Sequence, residues 1–429
     1  MAGSRIASVR GMYALNSRGH PTVRVVVRTE SGALGYGLAP SGASTGEREA
    51  VERRDGGRRW LGRGVSTVLA LLESEVAPRL VGMDSLRQAE IDRLLVVLDG
   101  TPNKSRLGTN LTTATSIAVA RAGAASLGVE LYYYLGGARA SLVPTPLLNI
   151  INGGVHAGNE LSIQEFMIIP VGADSILEAL RMSVETYYAL KSLLKERYGP
   201  QAVNVGDEGG FAPPLRETRE ALDLLVEAIR RAGYEPGRDF YLGLDAAASQ
   251  FYDPGAGSYR LDGRLLGPGE LLEFYEGLVS EYPIAYLEDP FWENDWDMYA
   301  EATRRLGSRV LVVGDDLYTT NVKYLRKGIE KGATNAALVK VNQIGTVTET
   351  IMFVEEALWN GLRAIISHRS GDTEDPFIAD LSVALGTGLI KTGAPARGER
   401  TAKYNRLIEI WESLDSPRYA GASPFPSKP

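Results

Sequence analysis

The most constraining feature of this sequence is a series of short apolar runs, each of which ends in a polar residue. The six polar residues are Asp245, Glu288, Asp315, Lys340, His368 and Lys391. From Glu288 onward they recur every 23 to 28 residues, which accommodates one strand, one helix and two short loops. A repeat of that length is typical of a (β/α)8-type barrel.

These polar residues all stand at the carboxyl ends of their predicted strands. Barrels of this class build their active sites at that rim. Taken singly, each residue also fits a solvated position after a strand. Six such positions in register, carrying complementary chemistry, favour one convergent site.

The first three positions are carboxylates. Asp245, Glu288 and Asp315 would repel one another and raise one another's pKa unless a cation lay between them. Oxygen ligands without Cys or His fit Mg²⁺, which leaves other coordination positions open to water and substrate. The competing interpretation is a carboxylate cluster paired to arginines.

Two of the later positions are lysines. Lys340 and Lys391 follow apolar pairs, which disfavours the alternative of two surface lysines. A lysine near a dication and a second lysine loses part of its preference for the charged form. We therefore expect its pKa to fall, so that one lysine acts as a base while the other clamps substrate charge.

Three further segments offer binding or proton-transfer groups. His368-Arg369-Ser370-Gly371 brings a planar guanidinium and a hydroxyl to one strand end, a composition suited to phosphate. Gly206-Asp207-Glu208-Gly209-Gly210 holds an acidic pair in a glycine loop, although it also fits a turn with solvated acids. The loop from Asn152 to Gly158 presents His156.

The first third of the chain has a different pattern. Alternation at Val23, Val25 and Val27 predicts strands and a hairpin, and helical stretches fill Glu47 to Leu135. Between them, residues 40–46 form a Gly/Ser-rich run that fits either a linker or a mobile lid. Prolines at 144 and 146 mark a boundary. We predict an α/β protein with an α+β domain over residues 1–140 and a barrel domain over residues 141–429.

Composition excludes several functional classes. The chain of 429 residues has no Cys, which rules out disulfides, Cys-ligated zinc and thiol nucleophiles. A formal net charge of -7 gives no global basic surface for nucleic acid. No run of 18 apolar residues predicts a membrane span, and the N-terminus lacks the apolar core of a signal peptide. We expect a cytoplasmic protein.

Many ordered motifs of this chain resemble those of the enolase (phosphopyruvate hydratase) family, from about Leu15 to about Arg406. The matching motifs are Ser41-Gly42-Ala43-Ser44-Thr45-Gly46, Ile163-Gln164-Glu165-Phe166-Met167, Gly206-Asp207-Glu208-Gly209-Gly210, Leu287-Glu288-Asp289-Pro290, Gly314-Asp315-Asp316-Leu317, Lys340-Val341-Asn342-Gln343-Ile344-Gly345-Thr346, Ser367-His368-Arg369-Ser370-Gly371 and Lys391-Thr392-Gly393-Ala394-Pro395. The resemblance implies a hydro-lyase of glycolysis and gluconeogenesis. Such an enzyme reversibly dehydrates 2-phosphoglycerate to phosphoenolpyruvate with two Mg²⁺ ions, the second arriving with substrate.

The resemblance also implies residue roles. Lys340 would take the proton from C2, and Glu208, supported by Glu165, would protonate the leaving C3 hydroxyl. Lys391 would contact the substrate carboxylate, and His368 completes the catalytic set. Asp245, Glu288 and Asp315 would hold the first Mg²⁺, and Ser44 in the lid would help bind the second. The substrate-binding set is His156, Glu165, Glu288, Asp315, Lys340, Ser367, His368, Arg369, Ser370 and Lys391.

The same resemblance implies a homodimer or a higher homo-oligomer. Asn16, His20 and Arg24 depart from the family's N-terminal pattern, in a region that helps to build its subunit contact. Two alternatives are another enzyme of the same superfamily that acts on an unphosphorylated acid, and a plain sugar-phosphate binding protein. The third is a catalytically silent, enolase-like scaffold or binding protein. That alternative predicts loss of Lys340, Glu208 or a metal carboxylate, and all of these are present.

Overall fold

The N-terminal part is built on an antiparallel sheet of three strands, β1 (Ile6–Leu15), β2 (Pro21–Thr29) and β3 (Leu34–Leu38). This computed structural model describes residues 3–42 and 46–426. The valines of β2 at 23, 25 and 27 are fully buried, as their alternation predicts. Gly35 and Gly37 let the sheet approach a helix closely, because a Cβ at either position would lie 2.1 or 2.3 Å from a carbonyl oxygen of that helix.

Helices cover one face of this sheet. They are α1 (Ser66–Leu71), a π-helical turn (Leu72–Val76), α2 (Ala77–Leu80), α3 (Gln88–Asp99), α4 (Thr109–Leu127) and α5 (Leu131–Gly136). Within the stretch predicted to be helical, α3 is confirmed as a helix, and its Ile91 and Leu95 are buried. The prediction of helix from Glu47 onward is wrong, since regular helix begins only at Ser66. The Asp55 carboxylate accepts both the Ser66 and Thr67 N–H groups, which closes a loop there.

The second part is a closed barrel of eight strands within the described residues. In chain order the strands of this part are β4 (Leu142–Val143), β5 (Thr145–Asn152), β6 (Glu165–Ile169), β7 (Tyr241–Asp245), β8 (Tyr252–Asp253), β9 (Ser258–Leu261), β10 (Arg264–Leu266), β11 (Ile284–Glu288), β12 (Leu311–Gly314), β13 (Ala336–Val339), β14 (Arg363–Ser367), β15 (Leu389–Lys391) and β16 (Arg418–Tyr419). The barrel order is β5-β6-β7-β11-β12-β13-β14-β15. The predicted barrel is confirmed.

Helices surround the barrel and follow most of its strands. They are α6 (Ile176–Tyr198), α7 (Thr218–Arg231), α8 (Pro268–Glu281), α9 (Trp296–Leu306), α10 (Val322–Lys331), α11 (Val341–Ile344), α12 (Val347–Trp359), α13 (Phe377–Leu385) and α14 (Gly398–Ser413). Short 3-10 turns lie at Arg59–Gly62, Gly137–Arg139, Gly154–His156, Pro200–Val203 and Ala248–Gln250. Within the described chain, no helix is both long and apolar enough to cross a membrane.

One strand departs from the parallel repeat. β6 runs antiparallel to both β5 and β7, whereas the remaining neighbours in the barrel pair in parallel. The amino end of β6 therefore lies at the rim where the other strands have their carboxyl ends. Glu165, the first residue of β6, pairs directly with Asp245, the last residue of β7.

The two parts of the chain contact each other through polar bonds. The Thr109 hydroxyl of α4 donates to the Asn342 carbonyl of α11 at 2.5 Å, and the Thr348 N–H of α12 donates to Asp92 of α3 at 2.9 Å. The N-terminal part thus lies over α11 and α12, beside the rim of the barrel. The division into domains at residues 140 and 141 stays a prediction.

Candidate active site

A pocket opens at the rim of the barrel and gathers most of the residues that the sequence singled out. Its lining includes His156, Glu165, Glu208, Asp245, Asp315, Lys340, Ser367, His368, Arg369, Ser370 and Lys391. Glu288 lies just below, in contact with Lys391. The strand-end pattern therefore does identify side chains that meet in space. Ser44 lies outside the described residues.

Lys391 is the buried cation at the centre of one side of the pocket. Its Nζ lies 2.9 Å from Asp245 Oδ2, 2.8 Å from Glu288 Oε2 and 3.2 Å from Glu165 Oε1. Burial lowers the pKa of Lys391, but the three carboxylates more than offset this and hold it well above its usual value. The ammonium therefore stays charged and binds acceptors.

Lys340 contacts a single carboxylate. Its Nζ pairs with Asp315 Oδ2, and Gln343 Nε2 donates to Asp315 Oδ1 at 2.8 Å. Burial lowers the pKa of Lys340, but Asp315 raises it above the ordinary value. The expected fall is not seen in this arrangement, because a carboxylate in direct contact outweighs the more distant cations Arg369 and Lys391.

Asp315 is held in place by a residue to which the sequence analysis gave no role. Asp289 accepts the N–H groups of Asp315 and Asp316, each at 2.9 Å, and the hydroxyl of Tyr299 at 2.9 Å. Burial and then Asp315 raise the pKa of Asp289 to about 7. Carboxylate oxygens of Asp289, Asp315 and Asp316 lie within 4.8 Å of one another. The adjacent acids in the two motifs Glu288-Asp289 and Asp315-Asp316 were the available signal.

We call Asp245, Glu288 and Asp315, together with the two lysines, the metal side of the pocket. The three carboxylates come from β7 and β11 and from the residue that follows β12, which are neighbouring strands of the barrel. Glu288 Oε1 is buried and has no hydrogen-bond partner among residues 3–42 and 46–426. Burying such an oxygen is costly unless it is coordinated or hydrogen-bonded. A set of hard oxygen donors with an unused oxygen fits Mg²⁺.

The opposite side of the pocket carries Glu165, Glu208, His156 and His368, which we call the proton side. Ligand atoms of the first three lie within 4.8 Å of one another, and His156 Nδ1 lies 3.7 Å from Glu208 Oε1. Asn149 Nδ2 on β5 donates to Glu208 Oε2 at 3.0 Å. Glu208 and His156, which the sequence places in loops, thus both lie at the pocket.

The two glutamates have opposite pKa shifts. Burial and then Glu208 raise the pKa of Glu165 well above its usual value. Burial also raises the pKa of Glu208, but His368 and His156 outweigh it and lower that pKa. Two carboxyl groups this close disfavour each other's ionised form, which accounts for part of the raised pKa of Glu165.

Arg400 determines the tautomer of His368. Its Nη1 lies 2.6 Å from His368 Nδ1, and a guanidinium can only donate. His368 Nδ1 is therefore the acceptor, and the neutral ring carries its proton on Nε2, 3.4 Å from Glu208 Oε1. Burial, aided by Arg400, lowers the pKa of His368 to about 4. Arg400 is an ordinary arginine on α14, and nothing in the sequence pattern marked it.

The predicted phosphate segment lies against the N-terminal part. Arg369 pairs with Glu49 through Nη1–Oε2 at 2.9 Å and Nη2–Oε1 at 3.1 Å, and Nη1 also donates to Asn342. Ser41 and Gly371 exchange two backbone hydrogen bonds of 2.9 Å. The segment that precedes residue 42 is thereby fixed beside Arg369 and Ser370. Ser367 lines the pocket, and its hydroxyl donates to the His368 carbonyl at 3.0 Å.

Comparison with known proteins gives one consistent result. Residues 6–135 match the family model described as "Enolase, N-terminal domain", and residues 140–427 match "Enolase, C-terminal TIM barrel domain". Among curated relatives, the chain is 58% identical to an enolase of Aeropyrum pernix, over 97% of this chain and 96% of that protein. It is 56% identical to an enolase of Methanopyrus kandleri (98% and 97% covered) and 54% identical to one of Pyrococcus furiosus (97% of each).

Proposed function

The chain belongs to the enolase family and is a lyase of that family, and from this premise we propose that it reversibly converts 2-phosphoglycerate to phosphoenolpyruvate with Lys340 as the base. The observation that carries the proposal is the meeting of two buried lysines, two neighbouring glutamates and a carboxylate cluster around one pocket. The reaction belongs to glycolysis and gluconeogenesis.

Asp245, Glu288 and Asp315 would hold the first Mg²⁺. Ser44 would help to hold a second ion that enters with the substrate phosphate. When bound, the metal neutralises the negative charge that develops on the substrate carboxylate. Lys391 contributes to the same end, because its three carboxylate contacts keep it charged and aimed at the centre of the metal side.

Lys340 removes the C2 proton. Its partner Asp315 favours the charged ammonium, and a cation held by Asp315 would weaken that preference and favour the free amine. Its pairing with one carboxylate, rather than three, makes Lys340 the lysine that can lose its proton. Lys391 is unsuited to this role and is the carboxylate-binding group.

The proton side supplies the proton for the leaving C3 hydroxyl. We assign delivery of this proton to Glu208, with the neighbouring Glu165, whose pKa is raised, as the group that resupplies it. His368 stays neutral and presents Nε2–H toward Glu208, while His156 closes over the substrate. Arg369 and Ser370 would bind the phosphate, with Ser367 shaping the wall beside them.

The direct test of this function is an activity assay. Purified protein with Mg²⁺ should convert 2-phosphoglycerate to phosphoenolpyruvate, seen as rising ultraviolet absorbance, and EDTA should stop the conversion until Mg²⁺ is restored. A folded, metal-loaded sample that forms no product would support the silent-scaffold alternative. No feature of the pocket favours that alternative.

We also propose a homodimer or higher homo-oligomer that acts in the cytoplasm. Tyr13 and Leu15, which share one face of β1, are 39% and 57% exposed, and the Tyr13 ring stacks on Trp60, itself 48% exposed. An apolar surface of this kind favours self-association. The side chain of the atypical Asn16 makes hydrogen bonds within its own chain, where it accepts the N–H groups of Arg18 and His20 at 3.0 Å each. Sedimentation of wild type against Leu15→Asp tests the oligomer, and cell fractionation tests the location.

A further inference from the structure

A tyrosine lies beneath the metal side, inside the barrel. Tyr286 and Glu288 are two residues apart on β11, so both side chains point to the interior of the barrel. Tyr286 is fully buried in an apolar layer with Met167, Leu311 and Leu338. A hydroxyl in such a layer is costly unless it finds a partner at its edge.

Its neighbour on the adjacent strand makes room for the ring. Gly243 of β7 is the register partner of Tyr286, and a Cβ at position 243 would lie 3.3 Å from Tyr286 Cβ and 3.4 Å from Cδ1. Both distances are tighter than ordinary packing contacts. Glycine at position 243 therefore leaves the space that the ring of Tyr286 occupies on its way to Glu288.

The hydroxyl of Tyr286 donates to Glu288 Oε2, which also accepts from Lys391 Nζ at 2.8 Å. The other oxygen, Oε1, is buried and has no hydrogen-bond partner in the described part of the chain. The carboxylate of Glu288 is thus asymmetric: two donors hold one oxygen, and the second oxygen is left for another ligand.

We propose that Tyr286 is a positioning residue for the metal, which fixes Glu288 through Oε2 so that Oε1 is the oxygen presented to Mg²⁺. This inference rests on the proposed function, since it takes Glu288 as a metal ligand. A carboxylate that is oriented before the metal binds loses less conformational freedom on binding. Partners of this outer kind typically contribute about 10- to 100-fold to metal affinity.

The test is a Mg²⁺ titration by calorimetry on EDTA-treated, dialysed protein without substrate. Tyr286→Phe should weaken Mg²⁺ binding by about 10- to 100-fold. Tyr275→Phe is the matched control, because its hydroxyl is also buried but has no partner in the described residues. That control should bind Mg²⁺ within about twofold of wild type. Both variants lose only one oxygen from a buried ring, and thermal unfolding in EDTA checks their folding.

Three outcomes decide the matter. Weaker binding in Tyr286→Phe alone supports the inference. Unchanged binding in Tyr286→Phe, or equal weakening in both tyrosine variants, overturns it, provided that Glu288→Gln abolishes binding. Full Mg²⁺ binding by Glu288→Gln instead overturns the metal assignment of the proposed function, and the role of Tyr286 with it.

Discussion

The two sides of the pocket differ in how their polar atoms are satisfied. On the metal side, every predicted carboxylate contacts a lysine: Asp315 contacts Lys340, and Asp245 and Glu288 contact Lys391. On the proton side, His156 Nδ1 and Nε2, His368 Nε2 and Glu165 Oε2 are buried without hydrogen-bond partners in the described chain. The metal side is rich in compensated charge, whereas the proton side holds a neutral His368 and two carboxyl groups whose pKa values shift in opposite directions.

This difference indicates a division of labour. Compensated charges remain fixed and stabilise charge that develops on a substrate, whereas groups near neutrality can exchange protons with it. Lys391 joins the two sides through its contacts with Asp245 and Glu165. If the division is real, substitutions on the two sides should have separable consequences.

The largest separable effect is expected on the proton side. Glu208→Gln should slow product formation by about 100- to 10,000-fold, since it removes general acid catalysis. Exchange of the C2 proton with solvent should continue, because Lys340 is untouched. The comparison is product formation by absorbance against C2 exchange by NMR. Asp207→Asn, which changes the neighbouring acid on the same loop, is the control and should alter both rates by less than about tenfold. If Glu208→Gln slowed product formation and C2 exchange equally, the proposed division between the two sides would be wrong.

Lys391, which contacts carboxylates of both sides, should contribute both to catalysis and to stability. Lys391→Met leaves three buried carboxylates without their cation, which should cost about 3 to 5 kcal/mol of unfolding free energy in EDTA. Part of that loss should be restored by Mg²⁺, which can supply the missing positive charge. Urea unfolding with and without Mg²⁺ measures this.

Lys104→Met provides the control for that experiment. Lys104 is buried and paired with Glu349 at 2.9 Å, away from the pocket. Its loss of stability should be the same with and without Mg²⁺. Equal behaviour of the two lysine variants would show that the carboxylates around Lys391 do not form a metal site.

A smaller effect concerns pH and tests whether His368 on the proton side is neutral. The pKa of His368 falls from 6.5 to about 4 on folding, so the unfolded chain binds more protons between those pH values. Stability should therefore decrease as pH falls from 6.5 toward 4, and His368 should contribute roughly 2 to 3 kcal/mol of that decrease. His368→Gln should show a correspondingly flatter dependence in urea unfolding at pH 6.5 and 4.5.

His20 offers the matched control in the N-terminal part. It is partly exposed, and burial and then Arg63 lower its pKa. His20→Gln should follow the wild-type pH dependence more closely than His368→Gln does. Identical pH dependences in wild type and His368→Gln would mean that folding does not lower the pKa of His368.

The same contrast explains what the sequence could predict. The metal side stands on regular strand ends, so apolar runs spaced by 23 to 28 residues were enough to find Asp315, Lys340 and Lys391. The longer interval between Asp245 and Glu288 also has a cause, since the small sheet of β8, β9 and β10 is inserted there before α8. Regular repeats carry their geometry in their spacing.

The proton side depends on features that spacing does not encode. Glu165 reaches the rim because β6 runs antiparallel, which places its first residue where other strands place their last. Arg400 and Glu49 act through contacts made across more than 30 residues or between the two parts of the chain. On the metal side, the raised pKa of Lys340 likewise follows from one contact, with Asp315. Such pairings become visible only once the chain is folded.

The most direct test of the central claim is C2 exchange in Lys340→Ala. With Mg²⁺ and 2-phosphoglycerate in deuterated buffer, wild type should exchange the C2 proton. The variant should show no enzyme-dependent exchange while its Mg²⁺ affinity stays within a few-fold of wild type, because Asp245 and Glu288 keep their contacts with Lys391. Exchange at a rate near wild type would contradict the assignment of Lys340 as the base.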